Sequence, residues 1–182
     1  MEKKRSREEA RYRRKFFRTL RDTIHTVIVI AAVAVLITNL MVPVLRIYGH
    51  SMNDTLDEGN IVLSVKGSSF KTGDIIAFYY NNKLLVKRVI GDSGDWIDID
   101  REGTVYVNNE EIDEPYLERK AMGECNIELP YQVPESRIFV MGDNRTVSVD
   151  SRNTAVGCVA EEQIVGKIFF RVWPLKDMGF IR

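Results

Sequence analysis

Cysteine and histidine are scarce in this chain, which has two of each among its 182 residues. Cys125 and Cys158 stand 33 positions apart, and the sequence has neither a Cys-x-x-Cys pair nor a His-Glu-x-x-His helix. Zinc sites and disulfide-built scaffolds need more such residues at closer spacing. We therefore expect no metal site and two free thiols, and no motif in the sequence indicates a cofactor.

An excess of one charge is also missing, because 26 Lys and Arg balance 26 Asp and Glu. This balance gives no reason to expect a nucleic-acid partner. It hides two opposite parts, since residues 1–23 carry ten basic and four acidic side chains, a net charge of +6, and the remaining 159 residues carry −6. Such an asymmetry indicates a segment that faces an anionic surface such as a lipid bilayer.

The basic segment is followed by a long apolar run at residues 24–45, in which His25 is the only titratable side chain. Its 22 residues are enough to cross a hydrocarbon core of about 30 Å. Residues 27–37 are apolar on every side of a helix, which favours lipid as their surroundings. A cleavable signal peptide is the alternative, but its apolar region is shorter and ends at a small-x-small site, whereas Met-Val-Pro-Val-Leu-Arg follows here.

We therefore predict three segments: a cytoplasmic basic segment at 1–23, a transmembrane anchor at 24–45 and an extracytoplasmic domain at 46–182. The basic residues before the span place the N-terminus in the cytoplasm by the positive-inside rule. The chain is expected in the cell membrane as a single-pass protein and as a monomer.

The part after residue 46 reads as β-structure, because short runs rich in β-branched and aromatic residues alternate with turn signals. Asn81-Asn82 between two apolar arms predicts a type I′ hairpin, since Asn tolerates positive φ. Outside the anchor no long stretch has a helical period, so we expect a mainly β fold, an antiparallel and partly closed domain. Residues 108–135 look like an irregular insertion. The predicted strands are 60–65, 74–80, 83–90, 96–100, 104–107, 137–141 and 164–172.

Three short clusters contain side chains that could do chemistry. Ser51 follows the anchor in a glycine-containing turn, Lys87 lies among apolar strand residues, and a dense polar loop at 142–152 follows an apolar strand. Each has an ordinary structural explanation by itself: a turn serine, a solvent-facing strand lysine and a hydrogen-bonded loop.

Taken together, the three clusters resemble the conserved boxes of the type I signal peptidases, membrane-bound Ser/Lys endopeptidases that remove signal peptides from exported preproteins. The resemblance runs from the anchor to Trp173-Pro174, and a single span with a compact outer domain is similar to the shorter Gram-positive form. The boxes read SMNDTL at 51–56, KRVIG at 87–91, GDNRTVSVDSR at 142–152 and IVGK at 164–167. Three departures from the family pattern occur: Asp54 and Cys158 stand where prolines are usual, and DSGD at 92–95 replaces Leu-Pro-Gly-Asp.

The resemblance implies a role for each matching position. It implies Ser51 as the nucleophile, Lys87 as the general base and Ser148 as the residue that holds the lysine amine. Asp150 and Arg152 would brace the loop, and Arg88 would pair with Asp143 or Asp150. The expected substrate-binding residues, which line pockets for small side chains and pair with the substrate backbone, are Met52, Leu56, Leu85 and Val86.

The same pair follows from chemistry, because a serine hydroxyl needs a neighbouring base. His25 lies at the cytoplasmic end of the span, too far away to act. His50 adjoins Ser51, and in an extended segment the two side chains point to opposite faces, whereas a sharp turn would leave His50 as an alternative base. Lys87 serves only if burial lowers its pKa, which the apolar residues on both sides of it in the sequence would bring about. Backbone N–H groups at the Ser51 turn would stabilise the oxyanion.

The predicted function is therefore a membrane-anchored serine endopeptidase that cleaves preprotein signal peptides after small residues. A catalytically silent β-domain that binds a partner outside the membrane is one alternative, and it would be favoured by loss of Ser51 or Lys87. The related self-cleaving Ser/Lys repressors are another, but they need a soluble DNA-binding head where this chain has an apolar span.

Overall fold

The computed structural model describes residues 2–53, 55–67 and 69–181, and in the first helix the side chains of residues 13–36 and Met41. The chain divides into two compact units, Met1–Met41 and Val42–Arg182. The first unit consists of helix α1, Glu2–Met41. Its stretch Arg13–Leu36 is long and apolar enough to cross a membrane, by length and composition, and its described side chains are exposed.

The expected span at 24–45 is divided between a helix and a strand. Helix α1 ends at Met41, and Val44–Arg46 forms strand β1, which pairs with β2, Ile61–Val65. Pro43 follows the helix end, and a proline lacks the N–H that a further helical turn requires. The helical part of the apolar run therefore ends four residues before residue 45. The sequence pattern did not show this end, because an apolar run by itself does not distinguish a helix from an apolar strand that follows it.

The second unit is built from two antiparallel sheets. The larger sheet has the order β1-β2-β11-β3-β4-β9-β10, with β12 paired to β11, and the smaller has the order β7-β6-β5-β8. Within the described residues neither sheet closes into a barrel, and the prediction of a mainly antiparallel β fold is confirmed. Strands β3 to β12 are Ile75–Tyr80, Lys83–Gly91, Trp96–Ile99, Val105–Val107, Glu110–Glu111, Tyr131–Gln132, Arg137–Met141, Val159–Ala160, Ile164–Trp173 and Gly179–Phe180.

Each of the seven predicted strands coincides with an observed strand to within one residue at either end. Asn81 and Asn82 have φ values of 46° and 59° and join β3 to β4, as the type I′ prediction requires. The short strands β7, β8, β10 and β12 have two residues each, too few for an alternating pattern. Two of them, β7 and β8, lie within the predicted insertion at 108–135.

Three apolar clusters form the core and explain why β3 reads as a continuous apolar run. Ile75 and Ala77 face one cluster with Met52 and Leu56, whereas Ile76 and Phe78 face a second cluster on the other side. Residues 75–78 of strand β3 are thus buried on both faces of the large sheet. A third cluster joins residues of the two sheets and includes Cys158. Cys125 and Cys158 are both free thiols.

Candidate active site

An open groove runs along the large sheet between two strand edges. One wall is β1 with the residues that follow it, and the other is the first part of β4. Strand β1 is an edge strand, and β4 pairs with β9 only from Arg88 onward, so the groove passes beside unpaired backbone. Its volume is about 650 Å³, and its lining includes Val44, Leu45, Ile47, Ser51, Met52, Leu84, Leu85 and Val86.

Ser51 lies in a tight turn at the end of this groove. The turn is closed by backbone hydrogen bonds from Asn53 N to the His50 carbonyl, 3.3 Å, and from Leu56 N to the Met52 carbonyl, 2.8 Å. Gly49, just before it, has a φ of 80°, in the left-handed region that glycine adopts without strain. The turn therefore presents Ser51 to the groove while Met52 and Leu56 pack into the core.

Lys87 lies on β4 opposite Ile76, and only 3% of its surface is exposed. Its amine Nζ donates a hydrogen bond to Ser148 Oγ over 2.9 Å. Burial is the main cause that lowers the pKa of Lys87 from 10.5 to about 8. The nearby carboxylates of Asp150 and Asp143 raise this pKa, and the guanidinium of Arg152 lowers it. About a tenth of this amine is therefore neutral at pH 7, far more than for an unburied lysine.

The polar loop after β9 meets the Ser51 turn at Gly142. Asn144 N donates to the Ser51 carbonyl over 3.1 Å, and Gly142 N donates to Asp150 Oδ2 over 2.9 Å. A Cβ atom at position 142 would overlap both Ser148 Oγ and the Ser51 carbonyl oxygen. Only glycine thus allows the turn that carries Ser51 and the loop that carries Ser148 to approach so closely.

Two buried ion pairs fix the surroundings of Lys87. Arg88 donates to both carboxylate oxygens of Asp143, over 2.9 and 2.7 Å, which selects Asp143 from its two expected partners. Arg152 donates to both oxygens of Asp150 over 2.8 Å. Burial opposes the ionisation of Asp150, but hydrogen bonds from Arg152 and Ser148 hold the pKa of this carboxyl below its usual range.

The four expected substrate-binding residues occupy different places. Met52, Leu85 and Val86 line the groove, whereas Leu56 is fully buried in the cluster beneath it. Leu56 therefore supports the floor of the groove and does not line it. His50 is not among the residues that line the groove. Its Nε2 atom lies 3.6 Å from a carboxylate oxygen of the exposed Glu58. No group of three or more His, Cys, Asp or Glu among the described side chains could hold a metal ion, and Asp54 lies outside the described residues.

A third buried ion pair was missed by the sequence reasoning. Arg145 lies inside the box at 142–152 and forms a bidentate ion pair with Glu114. Nearby, the ring of Tyr116 stacks on the Arg88 guanidinium, whose central carbon lies 3.7 Å from the ring centroid. Glu114 and Tyr116 belong to the segment predicted as an irregular insertion. The surrounding sequence has no periodicity that would have predicted the burial of Glu114 or the half-buried position of Tyr116.

The family model described as "Signal peptidase, peptidase S26" matches residues 20–173. The chain belongs to this family. The match covers the apolar run at 24–45 and the four boxes at 51–56, 87–91, 142–152 and 164–167, as the resemblance predicted. The geometry described above is thus the candidate active site of a signal peptidase family member.

Two curated relatives match this signal peptidase family member over about 150 residues each. Signal peptidase I of Bacillus caldolyticus is 41% identical over 149 residues, which cover 72% of this chain and 80% of the relative. Signal peptidase IB of Staphylococcus aureus is 37% identical over 154 residues, which cover 74% and 79%. A solved signal peptidase I from Enterococcus faecalis, 29% identical, matches 55% of this chain and 97% of its own with a TM-score of 0.47.

Proposed function

We propose that this protein is a membrane-anchored serine endopeptidase that removes signal peptides from exported preproteins, with Ser51 as nucleophile and Lys87 as general base. Family membership supports signal peptide removal, the activity named by the curated relatives. The observation that carries the assignment of residues is the buried Lys87 amine, which bonds to Ser148 Oγ and has a pKa of about 8. A buried lysine without a carboxylate partner lowers stability, and catalysis accounts for its presence.

The proposed reaction follows from the protonation states that burial allows. Neutral Lys87 takes the proton from Ser51 Oγ as the oxygen attacks the scissile carbonyl. The Ser51 backbone N–H has no acceptor within the described part of the chain, so it is available to the oxyanion. The Lys87 ammonium then protonates the leaving amine, an acyl-enzyme forms, and a water activated by the same amine releases the signal peptide.

The groove accounts for the proposed selectivity. An extended substrate can pair with the free backbone edge of Leu85 and Val86, which places alternate side chains against the apolar lining. Met52 and Val86 line the same groove as Ser51, where they would limit the size of a substrate side chain. We expect small residues such as Ala at the position that precedes the cut and two residues before it.

The anchor and its orientation belong to the same proposal. Helix α1 contains the stretch with the length and composition of a span, and ten basic residues precede the apolar run. By the positive-inside rule the N-terminus is cytoplasmic and residues 46–182 lie outside. Protease added to intact spheroplasts should digest this outer part and spare an N-terminal tag. Protection of the outer part would contradict the orientation and, with it, access to exported substrates.

The activity is tested by incubating detergent-solubilised full-length protein with a preprotein and measuring release of the mature protein. Ser51→Ala should reduce the rate at least about a thousandfold, because the nucleophile is lost. His50→Ala is the matched control, since it changes the neighbouring exposed residue, and it should retain most activity. Cleavage by Ser51→Ala at the wild-type rate would refute the assignment, and binding of the preprotein without cleavage by the wild type would favour the silent binding module.

A further inference from the structure

Glu114 lies between β7 and β8, outside every box that carries the family resemblance, and yet it is buried. Its carboxylate accepts two hydrogen bonds from the Arg145 guanidinium: Nη1 donates to Oε2 over 3.2 Å and Nη2 to Oε1. The Tyr116 hydroxyl donates to Oε1 over 2.9 Å. The Arg145 and Glu114 side chains are 1% and 0% exposed, so each depends on the other for charge compensation.

Arg145 links Glu114 to the backbone at Gly142, where the loop at 142–152 meets the Ser51 turn. Its Nε donates to the Gly142 carbonyl over 3.2 Å, and its own carbonyl accepts from Arg152 Nη1 over 3.2 Å. Gly142 abuts Ser148 Oγ and the Ser51 carbonyl, and Ser148 Oγ accepts the hydrogen bond from Lys87. A displacement of Arg145 would therefore move the backbone that sets the distance between Ser51 and Ser148.

We propose that Glu114 is a positioning residue for the reaction, which acts through Arg145 to hold Gly142 and Ser148 in place beside Lys87 and Ser51. This inference rests on the proposed function. Glu114 does not line the substrate groove, so the role is to align the reacting groups and not to bind the substrate. Small misplacements of such groups reduce the rate of the chemical step strongly.

Three variants of the full-length protein in detergent separate positioning from stability. Glu114→Gln leaves the Arg145 cation buried without a charged partner. Arg145→Met leaves the Glu114 carboxylate buried without a charged partner. The double variant Glu114→Gln/Arg145→Met removes both charges, and replacing a buried pair by neutral groups restores much of the stability that a single change loses. The Gln side chain also keeps an acceptor for the Tyr116 hydroxyl. Thermal unfolding, kcat and KM for one peptide substrate are measured for each.

The expected result is a lower Tm for both single variants and a Tm near the wild type for the double variant. In all three, kcat should fall at least about tenfold with KM unchanged, because the hydrogen bond that fixes Gly142 is either lost or unsupported. A double variant that regains wild-type kcat together with its Tm would overturn the proposal, since Glu114 would then only stabilise the fold. Wild-type kcat in Glu114→Gln would overturn it as well.

Ser51→Ala, measured alongside, separates this inference from the function on which it rests. If Ser51→Ala remains active, the proposed nucleophile is wrong whatever Glu114 does. If Ser51→Ala is inactive and the double variant keeps wild-type kcat, the proposed function stands and the role of Glu114 is refuted.

Discussion

The rate of signal peptide removal should rise with pH through the pKa of Lys87. Burial sets this pKa at about 8, compared with 10.5 for an unburied lysine. The neutral fraction of an amine with a pKa near 8 is about 9% at pH 7 and about 91% at pH 9. If only the neutral amine accepts the Ser51 proton, kcat/KM should increase about tenfold over this interval and then level off.

The assay compares initial rates for an uncharged peptide substrate between pH 6 and 10, with full-length protein in detergent. Thermal unfolding at each pH shows where the protein is folded, so that a loss of rate from denaturation is recognised. Lys87→Arg should be inactive at every pH, because a guanidinium remains charged. His50→Ala should keep the wild-type midpoint.

Two outcomes would refute this reasoning. A pH dependence of the rate that disappears in His50→Ala would assign the base to the histidine. A rate that still rises above pH 10 would mean that burial does not lower the pKa of Lys87, since an ordinary lysine is only about 3% neutral at pH 9. Substantial turnover by Lys87→Arg would exclude the lysine as proton acceptor.

Three further results are expected. The native state binds the Lys87 proton less tightly than the unfolded state, so Lys87→Met should stabilise the fold by about 1–3 kcal/mol below pH 8. This gain in stability should shrink as pH rises toward 10.5. Equal unfolding temperatures of the variant and the wild type at pH 7 would contradict this expectation. Ser148→Ala removes the oxygen that holds the amine and should lower kcat about tenfold or more with little change in KM, whereas Thr146→Ala, an exposed change in the same loop, should not. In a peptide series, Leu in place of Ala before the cut should slow cleavage at least about tenfold, because overfilling a packed pocket costs about 1–3 kcal/mol; equal rates would refute the pocket.

The strands could be predicted because their local signals agree with their burial. Residues 75–78 of strand β3 are apolar and buried on both faces, and the Asn81-Asn82 hairpin adopts the positive φ values that its residue types favour. The end of the anchor could not be placed in the same way. Val44 and Leu45 suit a lipid-facing helix and an edge strand equally, and the decision depends on pairing with Val62 and Leu63, which are far away in sequence.

The candidate site shows the same division between local and long-range information. Motif matching brought Ser51, Lys87 and Ser148 into consideration, but it left two carboxylates open for Arg88, and only the fold distinguishes Asp143 from Asp150. Glu114 could not be predicted at all. A glutamate in an irregular segment is usually exposed, and its burial depends on a partner 31 positions later in the chain.

Burial, in a cluster whose other charges are already paired, explains why Lys87 is poised to lose its proton. Among the described residues the buried charged side chains are Lys87, Arg88, Arg145, Arg152, Glu114, Asp143 and Asp150. Each arginine is paired with one carboxylate, so the cluster is neutral only when Lys87 is neutral. Arginine keeps its charge under all physiological conditions, whereas an amine can release its proton when burial disfavours the charged form. The pairing that makes three buried arginines tolerable thus leaves the remaining unbalanced charge on Lys87, the group that we propose as the base.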